Sequence, residues 1–187
     1  MSTSAHPSPA QHALQIALVD LAIEQGYDCA TVQLIAQRAG VARSTFYGHY
    51  GCKDDLFAAT LSRLHHSMVD HWRQSQRVRP TPGELSFLRP LIYHLCARRD
   101  LWCALRNSSA RRLLVKGFKT MIADLAARDL GLEKPPSMSD QAMLSCLAGA
   151  FLEMMDRWLR GELRGPKEEI ALNFERAAQA VTRSWRA

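Results

Sequence analysis

The chain has 187 residues, of which 47% are hydrophobic, enough apolar material to bury a core in one large domain or two small ones. The formal net charge of +6 indicates a polyanionic partner. No apolar run is long enough to span a membrane, and the first ten residues lack the basic start and apolar stretch of a secretion signal, so we expect a cytoplasmic protein with no membrane partner.

The five cysteines are odd in number and show no C-x-x-C spacing, which argues against a disulfide framework and a zinc finger. His66 and Asp70 stand one helical turn apart, as metal ligands can, but no second ligand pair accompanies them. We therefore expect free thiols, no metal and no cofactor.

The N-terminal region begins with residues 1–10, which include two prolines and are predicted to be a disordered arm. From about Pro9 to Gln25, leucines and alanines recur at helical spacing, and Gly26 suits the C-terminal cap. The pattern predicts a first helix that ends at this glycine.

The stretch from Thr31 to Lys53 predicts two short helices joined at Gly40. Apolar residues recur at i, i+3, i+4 and i+7 from Val32, Thr31 can cap the first of these helices, and glycine tolerates the positive φ at its end. A second helix is predicted for Arg43 to Tyr50, with Phe46 inward and polar side chains outside. Two short helices in this order are typical of a helix-turn-helix.

Three motifs in this stretch carry a family resemblance: A-x-R-A-G-V from Ala36, S-T-F-Y-x-H-Y from Ser44, and K-x-x-L-F from Lys53. Together they resemble the DNA-binding segment of TetR-family transcriptional regulators. The resemblance covers about residues 12–60. Two positions differ from the family pattern, because Ala42 replaces the usual capping serine and Leu34 the usual acidic residue.

The resemblance implies an all-α fold with an N-terminal three-helix DNA-binding domain (11–53), a connecting helix and linker (54–82), and a C-terminal helical domain for ligand binding and dimerisation (83–187). No acidic residue occurs between Asp28 and Asp54, so the expected contact surface is basic. The predicted DNA-binding residues are Thr31, Gln33, Arg43, Ser44, Thr45, Tyr47, His49 and Lys53. Arg43, Ser44 and Thr45 are assigned to base edges, and Tyr47, His49 and Lys53 to phosphates.

The C-terminal part predicts helices at about 83–98, 100–108, 109–131, 139–161 and 166–186, after a proline-rich break at 77–83 that we take as the domain boundary. The last two carry broad apolar faces and are expected, by the resemblance, to form a dimer interface. The residues assigned to it are Leu147, Phe151, Trp158, Phe174, Val181 and Trp185.

An effector cavity is expected among aromatic and methionine side chains of these helices, although such stripes also form ordinary cores. The residues assigned to it are Trp102, Phe118, Met121, Phe151 and Met155. Arg98, Arg99 or Arg106 could pair with a carboxylate, which favours an amphipathic anion as effector.

The sequence thus predicts a homodimeric repressor that a small molecule releases from a palindromic operator on double-stranded DNA. One alternative is a ligand-independent DNA-binding regulator or architectural protein with a filled core. A remote alternative is a small-molecule carrier or enzyme. We expect no enzymatic activity, because no nucleophile, base and orienting group occur at an informative spacing.

Overall fold

The computed structural model describes residues 8–75, 85–132 and 135–186, and within these ranges the chain is helical, with one 3-10 turn and no strand. The all-α prediction is therefore confirmed for the described residues. The helices are α1 (Pro9–Gln25), α2 (Val32–Arg38), α3 (Arg43–His49), α4 (Lys53–Ser75), α5 (Leu88–Ala97), α6 (Arg99–Arg106), α7 (Arg111–Asp129), α8 (Met138–Leu159) and α9 (Lys167–Arg186). The 3-10 turn is Tyr27–Cys29.

Membrane insertion has no candidate segment here: none of the described helices combines the length and apolar character needed to cross a bilayer.

Two compact units are distinguished. Unit 1 contains the described residues up to Ser62 together with Asp100–Leu114, and unit 2 contains Arg63–Arg99 and the described residues from Val115 onward. The grouping of 100–114 with unit 1 is not visible in the helix pattern of the sequence. The predicted boundary at 77–83 lies outside the described residues.

Helix α1 begins and ends with local signals. Ser8 Oγ accepts a hydrogen bond from the Gln11 amide (3.3 Å), and Gln11 Oε1 accepts one from the Ser8 amide (2.8 Å), which is a capping box. Gly26 ends the helix at φ 89°, so the predicted helix and its cap are confirmed. Residues 1–7 of the expected arm lie outside the described residues.

Helices α2 and α3 pack on each other and on α1. Thr31 Oγ1 caps α2 by accepting from the Leu34 amide (3.2 Å). At its end the Val41 amide donates to Ala36 O (3.0 Å) and the Gly40 amide to Gln37 O (3.1 Å), a Schellman motif. The Val41 bond needs the left-handed conformation that Gly40 adopts at φ 66°, because the dihedral angles of Gly40 set the direction of the next amide.

Unit 2 is built around α5, α8 and α9, with α9 packed against both of the others. The rings of Phe151 and Phe174 meet edge to face, with centroids 5.2 Å apart. The Trp185 indole N–H donates to Ser139 O (3.0 Å) and Oγ (2.7 Å), which ties the end of α9 to the start of α8. Helix α5 begins at Leu88, later than the sequence predicts, because residues 85–87 form a turn.

Candidate nucleic-acid interface

Helix α3 presents a polar face that is held in place by a buried aromatic side chain. Phe46 is fully buried, and its ring lies 5.5 Å from that of Tyr47 and 5.9 Å from that of Tyr50. This packing fixes the rotation of a helix of seven residues. The side chains on its other sides are exposed (Arg43, Ser44, Tyr47 and His49) or half-buried (Thr45).

Arg43 and Tyr47 form a pair along the exposed face of α3. Arg43 Nη2 donates to Tyr47 Oη (3.2 Å), and the guanidinium carbon lies 5.4 Å from the ring centroid. The two residues are four apart, so their side chains meet on one helix face. Stacking of this kind pre-orients the guanidinium, whose planar fork can bind the acceptor edge of a guanine in two places.

The N-terminal ends of α2 and α3 differ in their capping. Thr31 caps α2 and is exposed together with Gln33. Ala42 occupies the N-cap of α3 and makes no side-chain bond there, as its identity in the sequence predicts.

Lys53, at the start of α4, is already engaged within unit 1. Its ammonium donates to the carbonyl oxygens of Tyr27 (2.9 Å) and Asp28 (3.2 Å) and lies 4.6 Å from the Tyr27 ring centroid. An ammonium has three N–H donors, so one remains for a further acceptor. Neither bond could be predicted from local sequence pattern, because the partners are 26 and 25 residues away.

Tyr27 links the 3-10 turn to the first turn of α4. Its hydroxyl donates to Asp54 Oδ1 (2.5 Å), and its ring packs edge to face on Phe57 with centroids 5.5 Å apart. Burial, together with the bond to the Asp54 carboxylate, raises the pKa of the Tyr27 phenol well above its usual range. The phenol therefore stays protonated and serves as a permanent donor.

Ser109 binds the same region from the turn between α6 and α7. Its amide and its hydroxyl donate to Asp28 Oδ1 at 3.1 and 2.5 Å. These bonds hold the pKa of the Asp28 carboxyl below its usual value, with a smaller contribution from Lys53. Local sequence pattern cannot reveal a pair separated by 81 residues, so these bonds could not be predicted.

Arg38 contributes less free positive charge to this surface than the sequence suggests. Its guanidinium forms two bonds to the Glu24 carboxylate, at 2.8 and 2.7 Å. The bonds lower the pKa of Glu24, so the pair stays ionised and largely self-neutralising. The cationic side chains between Asp28 and Asp54 are Arg38, Arg43 and Lys53, and among the described residues only Arg43 has its charged group without an acidic or carbonyl partner.

The residues predicted to line an effector cavity are all buried. Trp102 belongs to unit 1, and the other four belong to unit 2. Their exposed fractions are 5% for Trp102, 3% for Phe118, 2% for Met121 and 0% for Phe151 and Met155. Burial of this degree is required by a cavity wall and by a filled core alike.

The residues predicted for a dimer interface fall into two groups. Leu147, Phe151 and Phe174 are buried inside unit 2 of a single chain. Trp158 is half-buried, while Val181 and Trp185 are exposed.

The histidine-rich part of α4 is not joined by further metal ligands among the described residues. His65 Nε2 lies 2.9 Å from Asp124 Oδ2, which also accepts a bond from Arg128 Nε (2.8 Å). In the parts of the chain that the structure describes, no three His, Cys, Asp or Glu side chains converge as metal ligands would.

Comparison with known proteins identifies the N-terminal region. Residues 17–60 match the family model of bacterial regulatory proteins of the tetR family. The chain is 26% identical over 153 residues to the HTH-type transcriptional regulator HbdR of Aromatoleum sp. (strain CIB), a match that covers 80% of this chain and 62% of HbdR. It is 27% identical over 133 residues to the HTH-type transcriptional activator FasR of Mycolicibacterium smegmatis, which covers 64% of this chain and 60% of FasR.

The chain therefore spans about three fifths of the length of the curated relatives it matches. Solved structures agree in fold. The fatty acid degradation regulator FadR from Bacillus halodurans aligns with a TM-score of 0.67 at 20% identity, over 93% of this chain and 96% of that one. A TetR transcriptional regulator from Rhodococcus sp. RHA1 aligns with a TM-score of 0.64, also at 20% identity, over 92% and 95%.

Both structural similarities are too distant in sequence to indicate more than the fold. The match over residues 17–60 covers α2, α3 and the start of α4, which are the elements that carry the polar face described above. Taken with the similarity to curated regulators, it identifies residues 17–60 as similar to the DNA-binding region of TetR-family transcriptional regulators, as the motifs in the sequence predict.

Proposed function

We propose that this protein is a DNA-binding transcriptional regulator that reads its operator with helix α3. The observation that carries the proposal is the exposed polar face of α3, on which the Arg43 guanidinium is oriented by Tyr47 and has no acidic partner among the described residues. The N-terminal residues of a recognition helix contact base edges in the major groove. The chromosome as partner implies a cytoplasmic protein.

The DNA contacts divide into base readout and phosphate binding. Arg43, Ser44 and Thr45 are assigned to base edges, because they form the first turn of α3. Tyr47 and His49 lie further along the helix and are assigned to phosphates, as are Thr31 and Gln33 at the start of α2 and Lys53 at the start of α4. Phosphate contacts set the register of α3 on the duplex, while base contacts select the sequence.

The active form is proposed to be a homodimer. A two-fold axis would place two copies of α3 in successive major grooves, about 34–36 Å apart, on a pseudo-palindromic operator. The exposed sides of α8 and α9 support this proposal. Each side exposes a group of uncharged residues. These are Ala142, Ser145, Cys146 and Ala150 on α8, and Ala177, Ala180 and Val181 on α9.

Regulation is proposed to be repression relieved by a small molecule in unit 2. The relatives HbdR and FasR are named as a regulator and an activator, which supports regulation rather than catalysis. The alternative, a ligand-independent regulator with a filled core, is consistent with the near-complete burial of Phe151 and Met155.

Selection of genomic DNA fragments by the purified protein tests the proposal. Bound fragments are expected to share an inverted repeat, and their enrichment should disappear with an Arg43→Ala, Ser44→Ala double variant that keeps the wild-type melting temperature. A protein that binds all fragments equally, or none, would contradict sequence-specific regulation.

A further inference from the structure

Unit 2 contains a cavity at a place that the sequence does not predict. It has a volume of about 420 Å³ and lies where the end of α5, the first residue of α6, the end of α8 and the connector to α9 meet. Its lining includes Cys96, Arg99, Trp158, Leu159, Leu163 and Arg164. Ligand sites in proteins commonly have volumes of about 300–1,000 Å³, so this cavity can hold a small organic molecule.

Two arginines give the cavity a positive charge. Within the described parts of the chain, the guanidiniums of Arg99 and Arg164 make neither an ion pair nor a hydrogen bond. Asp100 follows Arg99 directly in the chain, but among the described residues it bonds to neither arginine. The acidic residues near Arg164 are already occupied, since Asp156 pairs with Arg160 (3.0 Å) and Glu162 pairs with Arg157 (3.5 Å) and with Arg160.

The remaining ionisable groups nearby do not remove this charge. Burial raises the pKa of the Cys96 thiol, so it is neutral at pH 7. Glu168 accepts a bond from the Tyr93 hydroxyl (3.0 Å). Glu169 lies against Gly165, but among the described residues it bonds to neither arginine.

The rest of the lining is apolar and held in place. The Trp158 indole N–H donates to Gly165 O (3.0 Å), which fixes the ring against the connector. Leu159 is 2% exposed and Leu163 is half-buried beside it. A flat apolar body can therefore pack on the indole and the leucines while an anionic head meets the arginines.

We propose that this cavity binds a small organic acid, with the carboxylate held by Arg99 and Arg164 and an aromatic or aliphatic body packed against Trp158, Leu159 and Leu163. Guanidinium–carboxylate bonds are charge-assisted, and a guanidinium can hold a carboxylate at two points. Arg99 is one of the three arginines that the sequence offers for a carboxylate. A role for the bound acid in DNA release rests on the proposed function, but binding itself can be measured on the free protein.

The experiment compares naphthalene-1-acetate with its uncharged primary amide. The four tryptophans are labelled with 5-fluorotryptophan, and the ¹⁹F signal of Trp158 is assigned with a Trp158→Phe variant. The acid should shift the Trp158 signal, and calorimetry should give an affinity at least about tenfold higher for the acid than for the amide.

The matched variants are Arg99→Gln and Arg164→Gln, each expected to weaken acid binding about tenfold or more. Arg160→Gln is the control, because Arg160 pairs with Asp156 and Glu162 and does not line the cavity. Circular dichroism confirms that each variant is folded. Equal binding of acid and amide, unchanged binding by both lining variants, or no binding would overturn the proposal. DNA binding measured on the same samples without the acid tests the proposed function separately.

Discussion

Arg43 is the residue on which sequence-specific reading depends most, since Tyr47 already orients its guanidinium. We expect Arg43→Ala to reduce the preference for the operator over scrambled DNA by about 1–3 kcal/mol, because a two-point contact to a base is lost. Fluorescence anisotropy with both DNAs measures this preference. Tyr47→Phe, which keeps the ring but removes the hydroxyl, is the control and should lose much less. An Arg43→Ala protein with full preference would exclude Arg43 from base readout.

Lys53 has two separable roles. Its bonds to the carbonyls of Tyr27 and Asp28 stabilise the fold, and its third donor is assigned to a phosphate. Lys53→Met, which keeps most of the aliphatic stem, should therefore lower stability by roughly 1 kcal/mol and reduce the salt slope of DNA binding by about 1. Urea unfolding and anisotropy at several salt concentrations measure the two effects. A loss of stability with an unchanged salt slope would leave Lys53 with the structural role alone.

Ionisation of the buried Asp129 carboxyl should destabilise the folded state. Burial raises the pKa of its carboxyl, only partly offset by bonds from Ser86 Oγ (2.9 Å) and Trp72 Nε1 (2.8 Å). The folded state therefore holds a proton that the unfolded state releases near pH 3.8, and stability is lost as the pH rises through the raised pKa. Asp129→Asn keeps an acceptor oxygen but cannot ionise, so its unfolding free energy relative to wild type should increase between pH 4 and pH 7.

Asp124, five residues earlier in α7, is the matched control. Burial raises the pKa of its carboxyl, but bonds from Arg128 and His65 outweigh that effect and the net pKa is lowered. Its ionised form thus stabilises the fold above the unfolded-state pKa, and that contribution is lost as the pH falls through the folded-state pKa. Asp124→Asn should become more destabilising as the pH rises from the lowered folded-state pKa through the unfolded-state value of 3.8, and its effect should change little above that. The same sign for both variants in urea unfolding would refute the assignment.

At the scale of helices, the sequence predicts most of what is formed by neighbours along the chain. The bounds of α1 and α2 follow from Gly26, Thr31 and Gly40, because capping and positive φ act within a few residues. The exposed face of α3 follows from the position of Phe46. Helical spacing fixes which side of an element is buried, so these features need no tertiary information.

Features that depend on distant partners could not be predicted in this way. The Ser109–Asp28 bonds and the Arg38–Glu24 pair join residues far apart in sequence, and no periodicity links them. The prediction that Phe174 lies at a dimer interface shows the same limit. Apolar spacing identifies Phe174 as inward-facing on α9, but the partner of that face is Phe151 of the same chain.

Two glycines, Gly40 in the turn between α2 and α3 and Gly48 within α3, should respond to alanine substitution with opposite changes in stability. Gly40 has φ 66°, so Gly40→Ala should destabilise the protein by about 1–2 kcal/mol even though a Cβ there would meet no atom within 4 Å. Gly48 lies within α3, also with open space for a Cβ, so Gly48→Ala should stabilise by about 0.5–1 kcal/mol. Thermal and urea unfolding measure both. Equal effects of the two changes would mean that backbone conformation does not control this turn.

At the scale of the whole molecule, the buried position of Phe174 determines how dimerisation should be tested. A charge at this position would enter the core of unit 2, so loss of the dimer could not be separated from loss of the fold. The informative positions are exposed ones on the uncharged sides of α8 and α9, such as Ala150 and Val181.

We expect Ala150→Glu and Val181→Glu each to weaken the dimer by more than about tenfold, because the two-fold axis would bring each new charge into the interface twice. Leu172→Glu is the control. Leu172 is 39% exposed on α9, on the side that carries Arg176 and Arg183, where a carboxylate stays in water. Light scattering over a range of concentrations gives the dissociation constants, and circular dichroism confirms that each variant is folded. If the first two variants remain as dimeric as Leu172→Glu, the two chains associate through a different surface. If Ala150→Glu and Val181→Glu do dissociate the dimer, their apparent affinity for the full palindrome should fall, while binding to an isolated half-site stays unchanged because α3 itself is intact.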